Sequence, residues 1–379
     1  MNRIYLDHNA SAPVRPEAAR ARAATETLGN PSSIHREGRE ARERLDEARE
    51  RLSALLHCRP RELVFTSGGS EANALALWGA FLGRRDVGRT RVLASAIEHP
   101  SVLSTLKQLD RVGARLQLLP VGAGGRLDLD RALAALGPDV ALVSLMLANN
   151  ETGVVQPVAE LARAARAAGA VVHCDAVQAA GRLQVEPREL QVDLLSLSGH
   201  KFGAGMGSGL LYVRDGLSLA ALAAGHQEGG RRAGTETVGS HLATAAALEA
   251  AERDRAADAE RLSALRQRLE DGLLALPGTR LVGTDLPRLS NTANICFDGA
   301  AGEALVIALD LAGIAASSGA ACASGTLEPS HVLLAMGIEP ELARSSLRFS
   351  LGPGNTVQEI ERLLDLFPPI LEAARRADA

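Results

Sequence analysis

The stretch VDLLSLSGHKFG, residues 192–203, reads as a short apolar strand running straight into a polar turn. Six more apolar runs lie between about residues 60 and 215: ELVFTS, RVLASAI, RLQLLPV, VALVSLMLA, AVVHCDAV and GLLYVRD. Ala/Leu/Arg segments with helical spacing, such as residues 157–168, separate most of them. Continuously apolar strands alternating with helices predict an α/β fold with a mainly parallel sheet covered on both faces. Ligands on such sheets gather beyond the carboxyl ends of the strands. That rule selects residues 67–70, 98–99, 149–150, 175–178 and 198–201, each directly after an apolar run.

Farther along, an Ala/Glu/Arg/Leu helical stretch over residues 239–276 reads as a connector. Strand-like RLVG, NTANICF and SSLRFSL follow, with helices expected over residues 303–311 and 357–375. These predict a smaller α+β domain, which strand-like RIYLD near the start is expected to join. With 379 residues and 46% hydrophobic content the chain can bury a substantial core. One Trp, two Tyr and six Phe leave Ala, Leu and Val to fill it. A formal net charge of −4 argues against nucleic acid or an anionic membrane as a partner held by bulk charge. The start, MNRIYLDHNA, has no signal-peptide pattern, and VALVSLMLA falls short of the roughly 20 residues of a membrane helix. A cytoplasmic location is therefore expected.

Lys201 carries the first chemical signal. It is one of two lysines among forty-one basic side chains, the other being Lys107. Arginine stays protonated, whereas lysine can lose its proton, attack a carbonyl and form a Schiff base. Asp175 ends the run AVVHC. Such an aspartate is most often a helix cap, but it also suits the pyridinium nitrogen of pyridoxal phosphate, whose Schiff-base partner would be Lys201. ELVFTSGGSEANALALWG reads as strand, glycine turn and helix. The N–H groups of Gly69 and Ser70, with the Ser70 hydroxyl, would meet an anion at that helix start, or simply end an ordinary helix. Ser198 and His200 are candidate donors to the same phosphate, and GRRAGTET around Thr235 is another candidate anion site. His99 is either structural or a proton shuttle stacked on the cofactor ring. GAGMGSG, residues 203–209, has the wrong glycine spacing for dinucleotide binding and precedes a strand.

The four cysteines, Cys58, Cys174, Cys296 and Cys322, form no C-x-x-C pair, so neither a zinc site nor a disulfide framework is expected. Three sit in helical or apolar patterns and read as structural. Cys322 lies in SSGAACASGTLEPS, surrounded by Gly, Ala and Ser, and is expected on an exposed, mobile loop. A thiol there suits a nucleophile that visits a cofactor and leaves carrying something. Arg348, in SSLRFSLG, is a candidate bidentate clamp for a substrate carboxylate, or half of a surface ion pair.

Taken together, the chain resembles the cysteine desulfurases of the NifS/IscS type, within the class V aminotransferases, fold-type I pyridoxal phosphate enzymes. The resemblance rests on YLDHNASAPV, LGNPSSIH, VFTSGGSEANALAL, EHPSV, NNETGVVQP, HCDAVQAAG, SLSGHKFGAGMGSGLLYV, RRAGTETV, SSGAACASGTLEPSHVL and RSSLRFSLG, in that order along nearly the whole chain. It implies a large domain, residues 14–255, with a mainly parallel seven-stranded sheet between helices. A small domain, residues 1–13 and 256–379, would carry the mobile Cys322 loop. It implies that Lys201 forms the Schiff base, Asp175 pairs with the ring nitrogen, Gln178 meets the ring hydroxyl and His99 stacks on the ring. Gly69, Ser70, Ser198 and His200 would hold the phosphate, with Thr235 reaching in across a homodimer. Asn150, also near the cofactor, and Arg348 would bind the substrate carboxylate region, and Cys322 would accept sulfur from L-cysteine, releasing L-alanine.

No resident metal is expected, although Cys322 could transiently ligate an iron–sulfur cluster. The persulfide would serve a sulfur-acceptor protein in cluster assembly or in tRNA or cofactor thiolation. Ser70 stands where many relatives carry threonine, and the hydroxyl is kept. The sequence ends with ILEAARRADA, so the longer extension that IscS-type members use to engage a scaffold is expected to be lacking. The alternatives are a small-amino-acid aminotransferase or selenocysteine lyase on the same fold, or a non-catalytic scaffold.

Overall fold

The strands, in chain order, are β1 (Ile4–Tyr5), β2 (Leu63–Thr66), β3 (Arg91–Ser95), β4 (Arg115–Leu119), β5 (Val140–Ser144), β6 (Val171–Asp175) and β7 (Leu194–Ser198), then β8 (Gly209–Val213), β9 (Thr279–Leu281), β10 (Thr292–Phe297), β11 (Ile314–Ala315), β12 (Ser317–Ser318) and β13 (Ser346–Ser350). The computed structural model describes residues 3–25, 28–284, 286–318 and 328–378; Cys322 lies outside them.

Each of the seven apolar runs supplies one strand of a seven-stranded sheet, ordered β2-β8-β7-β6-β5-β3-β4. The pairs β3–β4, β3–β5, β5–β6 and β6–β7 are parallel, and β8 alone runs antiparallel, to β2 and β7. The exception has a topological cause. Residues 199–208, between β7 and β8, are too few for the crossover of about a dozen residues that parallel pairing needs.

Alternation along the strands divides the core. Phe65, Leu93, Val143, Val172 and Leu195 pack with the helices Arg36–Leu55 and Val158–Ala167 and the start of Val238–Leu274. Their neighbours Val64, Val92, Leu142, Val171 and Leu194 pack on the other face, with the helices Gly69–Arg85 and Pro100–Asp110. Both faces are thus sealed, and the strand ends are left to meet a ligand.

A second sheet, β12-β13-β10-β9, is antiparallel. Ile295, Phe297, Leu347 and Phe349 on its strands pack against the helices Gly302–Leu311 and Val357–Asp378. At the N-terminus β1 pairs with β11, and Asp7 bridges to Ser350. The long helix Val238–Leu274 serves both cores, with Leu242 and Leu248 in one and Leu262 and Leu269 in the other. Among the described residues no helix is long and apolar enough to cross a membrane.

Candidate active site

A cleft of about 860 Å³ opens between the carboxyl edge of the large sheet and the strands β12 and β13. All five segments selected from the sequence contribute residues to it or border it. Gly69, Ser70, His99, Asn150, Asp175, Gln178, Ser198, His200, Lys201 and Arg348 line it together. Thr235 is exposed and is absent from the lining residues of this chain's own cleft.

Lys201 closes a short 3₁₀ turn, Gly199–Lys201, directly after β7. Its Nζ donates to the carbonyls of Asn9 at 2.6 Å and Ala10 at 3.0 Å. Carbonyls carry no compensating charge, so burial, followed by the fields of Arg348 and Arg182, pushes the amine down to about 8. At that value about a tenth of the amine is neutral at pH 7.

Asp175, the last residue of β6, is 5% exposed. Its Oδ1 accepts the Val177 N–H at 3.0 Å, so it acts as a local cap. Its Oδ2 accepts Asn73 Nδ2 at 2.7 Å, and Asn73 also donates to Ser101 Oγ at 3.0 Å. The carboxylate is therefore locked in one orientation.

The helix Gly69–Arg85 begins at Gly68 with no side-chain cap, leaving its first N–H groups to an outside acceptor. A Cβ on Gly69 would lie 2.9 Å from Val177 Cγ2 and 3.1 Å from Ser198 Cβ. Glycine thus keeps open the space between the helix start and β7. An uncapped helix start, a hydroxyl from Ser198 and a fixed carboxylate suit an anionic group attached to a protonated heterocycle, which is what pyridoxal phosphate presents.

His99 is the N-cap of helix Pro100–Asp110, and its Nδ1 accepts the Ser101 N–H at 3.1 Å. Burial lowers its pKa, and since Nδ1 accepts that N–H, the proton of the neutral ring belongs on Nε2. The structural and cofactor-facing readings of His99 are compatible, because the cap itself orients the ring. His200 is held by Ser11 Oγ at 3.3 Å and is pushed down to about 4 by burial and then by Lys201. Gln178 donates to the Asn9 carbonyl at 3.0 Å.

Arg348 is 7% exposed rather than a surface residue. It pairs with Asp7 Oδ1 at 2.7 Å and donates to the Asn150 carbonyl at 3.2 Å. Its Nε is buried without a hydrogen-bond partner among the described residues. The ion pair expected as an alternative is present, but it lies inside the cleft wall. Burial raises the remaining thiols, Cys58 to about 12 and Cys296 to about 11, with Cys174 also well above its ordinary value. These three are inert at neutral pH.

Several site residues escape sequence reasoning. Asn73 lies four residues after Gly69 on the same helix, a spacing that places it on one face and could have flagged it. Asp7, Asn9 and Ala10 lie in the quoted YLDHNASAPV, yet only folding brings them to Arg348 and Lys201. Glu98 is completely buried, accepts the Met146 N–H at 2.7 Å and is pushed up to about 8 by desolvation. His331 donates its Nε2–H to the Glu98 carbonyl at 3.0 Å and also lines the cleft. Among the described residues no group of three or more His, Cys, Asp or Glu is placed to hold a metal ion.

The mainly parallel sheet is that of a fold-type I enzyme, and the chain belongs to the class-V aminotransferase family, matching it over residues 4–363. Within that family it is similar to a cysteine desulfurase of Gluconacetobacter diazotrophicus, with 45% identity covering 99% of this chain and 95% of that one. The solved structure of a NifS-like protein superposes with a TM-score of 0.92 at 32% identity, covering 98% of this chain and all (100%) of that one. The structure titled "SspA in complex with cysteine" matches with a TM-score of 0.81 at 30% identity, over 93% of this chain and 100% of that one. Class-V aminotransferases and cysteine desulfurases are in general pyridoxal phosphate enzymes.

Proposed function

We propose that the protein is a pyridoxal-phosphate-dependent cysteine desulfurase, a sulfurtransferase that converts L-cysteine to L-alanine and leaves sulfur as a persulfide on Cys322. The observation that carries this reading is the meeting, in one cleft, of a lysine amine of depressed pKa, a locked strand-end aspartate and an uncapped helix start. The 45% identity to a cysteine desulfurase supports the choice of reaction.

When bound, pyridoxal phosphate supplies a ring that stores the electrons left by a departing Cα proton. In this reading Gly69, Ser70, Ser198 and His200 hold its phosphate, and Thr235 of the partner subunit reaches in across a homodimer interface. Asp175 keeps a proton on the ring nitrogen, Gln178 meets the ring hydroxyl and His99 lies against the ring. Arg348 and Asn150 take the carboxylate of L-cysteine. Lys201, neutral in part near pH 7, accepts the Cα proton and delivers a proton back. The Cys322 thiolate attacks the substrate sulfur: an S–S bond forms, the Cβ–S bond breaks and its electron pair stays on carbon, which takes a proton on the way to alanine.

The persulfide then passes to a sulfur-acceptor protein in the cytoplasm, for iron–sulfur assembly or tRNA or cofactor thiolation. Residues 14–255 act as the cofactor-holding unit, and residues 1–13 with 256–379 carry Cys322. The test is to mix the holoenzyme with L-cysteine, follow the Cys322 peptide by mass spectrometry and measure alanine. One added sulfur with matching alanine is expected, and Cys322→Ala abolishes the transfer. Bound cofactor with unmodified Cys322 and no alanine would reject the proposal in favour of an aminotransferase-like activity.

A further inference from the structure

Glu151 takes part in no step above. It follows Asn150 in the turn after β5, lines the cleft and is 5% exposed. Its Oε2 accepts the Ser330 hydroxyl at 2.5 Å, and Ser330 Oγ in turn receives the Leu333 N–H at 3.3 Å. Arg348 lies close by, because it donates to the carbonyl of the adjacent Asn150 at 3.2 Å. Its ion pair, however, goes to Asp7. Glu151 is therefore a buried carboxyl beside a cation already committed to another carboxylate.

The charged and titratable groups around it are placed as follows. Arg348 on β13, with Asp7 behind it, forms one wall. Glu328 and His331 come from the segment after residue 327, and His99, Asp175 and Lys201 line the rest of the cleft. Of these, Arg348 favours the charged form of Glu151, as does the Ser330 hydroxyl, but burial outweighs both and pushes the carboxyl up to about 7.

A carboxylate docking on Arg348 adds a further negative charge to a buried corner that already holds Asp7 and Glu151. Two carboxylates sharing such a site cannot both ionise without cost, and one takes a proton. We propose that Glu151 is a positioning residue for substrate uptake: it takes up one solvent proton as the substrate carboxylate docks on Arg348, and so presents a neutral O–H instead of a second charge. This rests on the reading of Arg348 as the carboxylate clamp.

The test uses propionate, which has a carboxylate but no amine to react. Its dissociation constant for the holoenzyme is measured from pH 6 to 9 by ligand-observed NMR. In the wild type, affinity falls about tenfold between pH 6 and 8, tracking the protonated fraction of a group near 7. Glu151→Gln removes that dependence and keeps the pH 6 affinity throughout. Ser330→Ala, which deletes a donor favouring the charged form, moves the midpoint upward. An undiminished pH dependence in Glu151→Gln, or an unmoved midpoint in Ser330→Ala, overturns the proposal. Propionate affinity unchanged in Arg348→Met overturns the clamp itself, and the coupling with it.

Discussion

Replacing Lys201 with methionine should stabilise the cofactor-free protein near neutrality while abolishing its chemistry. The amine is pushed from the ordinary 10.5 down to about 8. A folded-state value below the unfolded one means that the native state binds fewer protons between pH 8 and 10.5. The charged lysine therefore costs stability in full below about pH 8, and the cost is relieved as pH rises toward 10.5. At 1.36 kcal/mol per unit the penalty is about 3 kcal/mol at pH 7, falling to about 1.5 kcal/mol by pH 9.5. Methionine has similar length and no charge to desolvate, but it cannot donate to the Asn9 and Ala10 carbonyls. Asn9 keeps its bond from Gln178, so the loss is about 1 kcal/mol. The net expectation is a variant about 2 kcal/mol more stable than wild type at pH 7 and nearly equal to it at pH 9.5. Urea unfolding followed by circular dichroism at both pH values measures this. A stability difference that is the same at pH 7 and pH 9.5 would refute the account of Lys201 as a desolvated, charge-opposed amine.

Three further perturbations address other parts of the architecture. Asn73→Ala removes the 2.7 Å donor that orients Asp175, and cofactor retention in equilibrium dialysis should weaken about tenfold, as expected for a hydrogen bond to a charged group; unchanged retention would mean that Asp175 needs no such support. Gly69→Ala places a methyl 2.9 Å from Val177 Cγ2, within the space kept open beside Ser198, and should lower cofactor retention far more than the unfolding midpoint, whereas equal retention would remove Gly69 from the cradle. Glu228 is buried, accepts the Phe65 N–H at 2.8 Å and pairs with Arg49 at 2.7 Å, so Glu228→Leu should cost roughly 3–5 kcal/mol by stranding Arg49. The double variant with Arg49→Met should recover part of that loss in urea titrations, and no recovery would argue against charge stranding as the cause.

The elements that hold the site were legible because each is encoded locally. A run such as AVVHCD is apolar but for His173 and ends in a carboxylate, so both its burial and the location of Asp175 follow from a few neighbouring residues. The same holds for the glycine turn before Asn73 and for Lys201 after β7. Less legible was the state of these groups. Arg348 could be read as a surface ion pair, and only folding shows it sealed against Asp7, which is 341 residues away in sequence. Glu98 and Glu151 carry no sequence mark of their neutral tendency, since desolvation depends on everything packed around them.

The amino-acid order by itself determined the seven strands of the sheet, the helices between them and the edge where chemistry would gather, because hydrophobic periodicity and turn residues act over a few positions. The order of the strands within the sheet, the pairing of Arg348 with Asp7 and the depressed Lys201 amine were decided by the tertiary structure alone. Strand partners and local fields come from groups distant in sequence, and a short-range pattern holds no record of them.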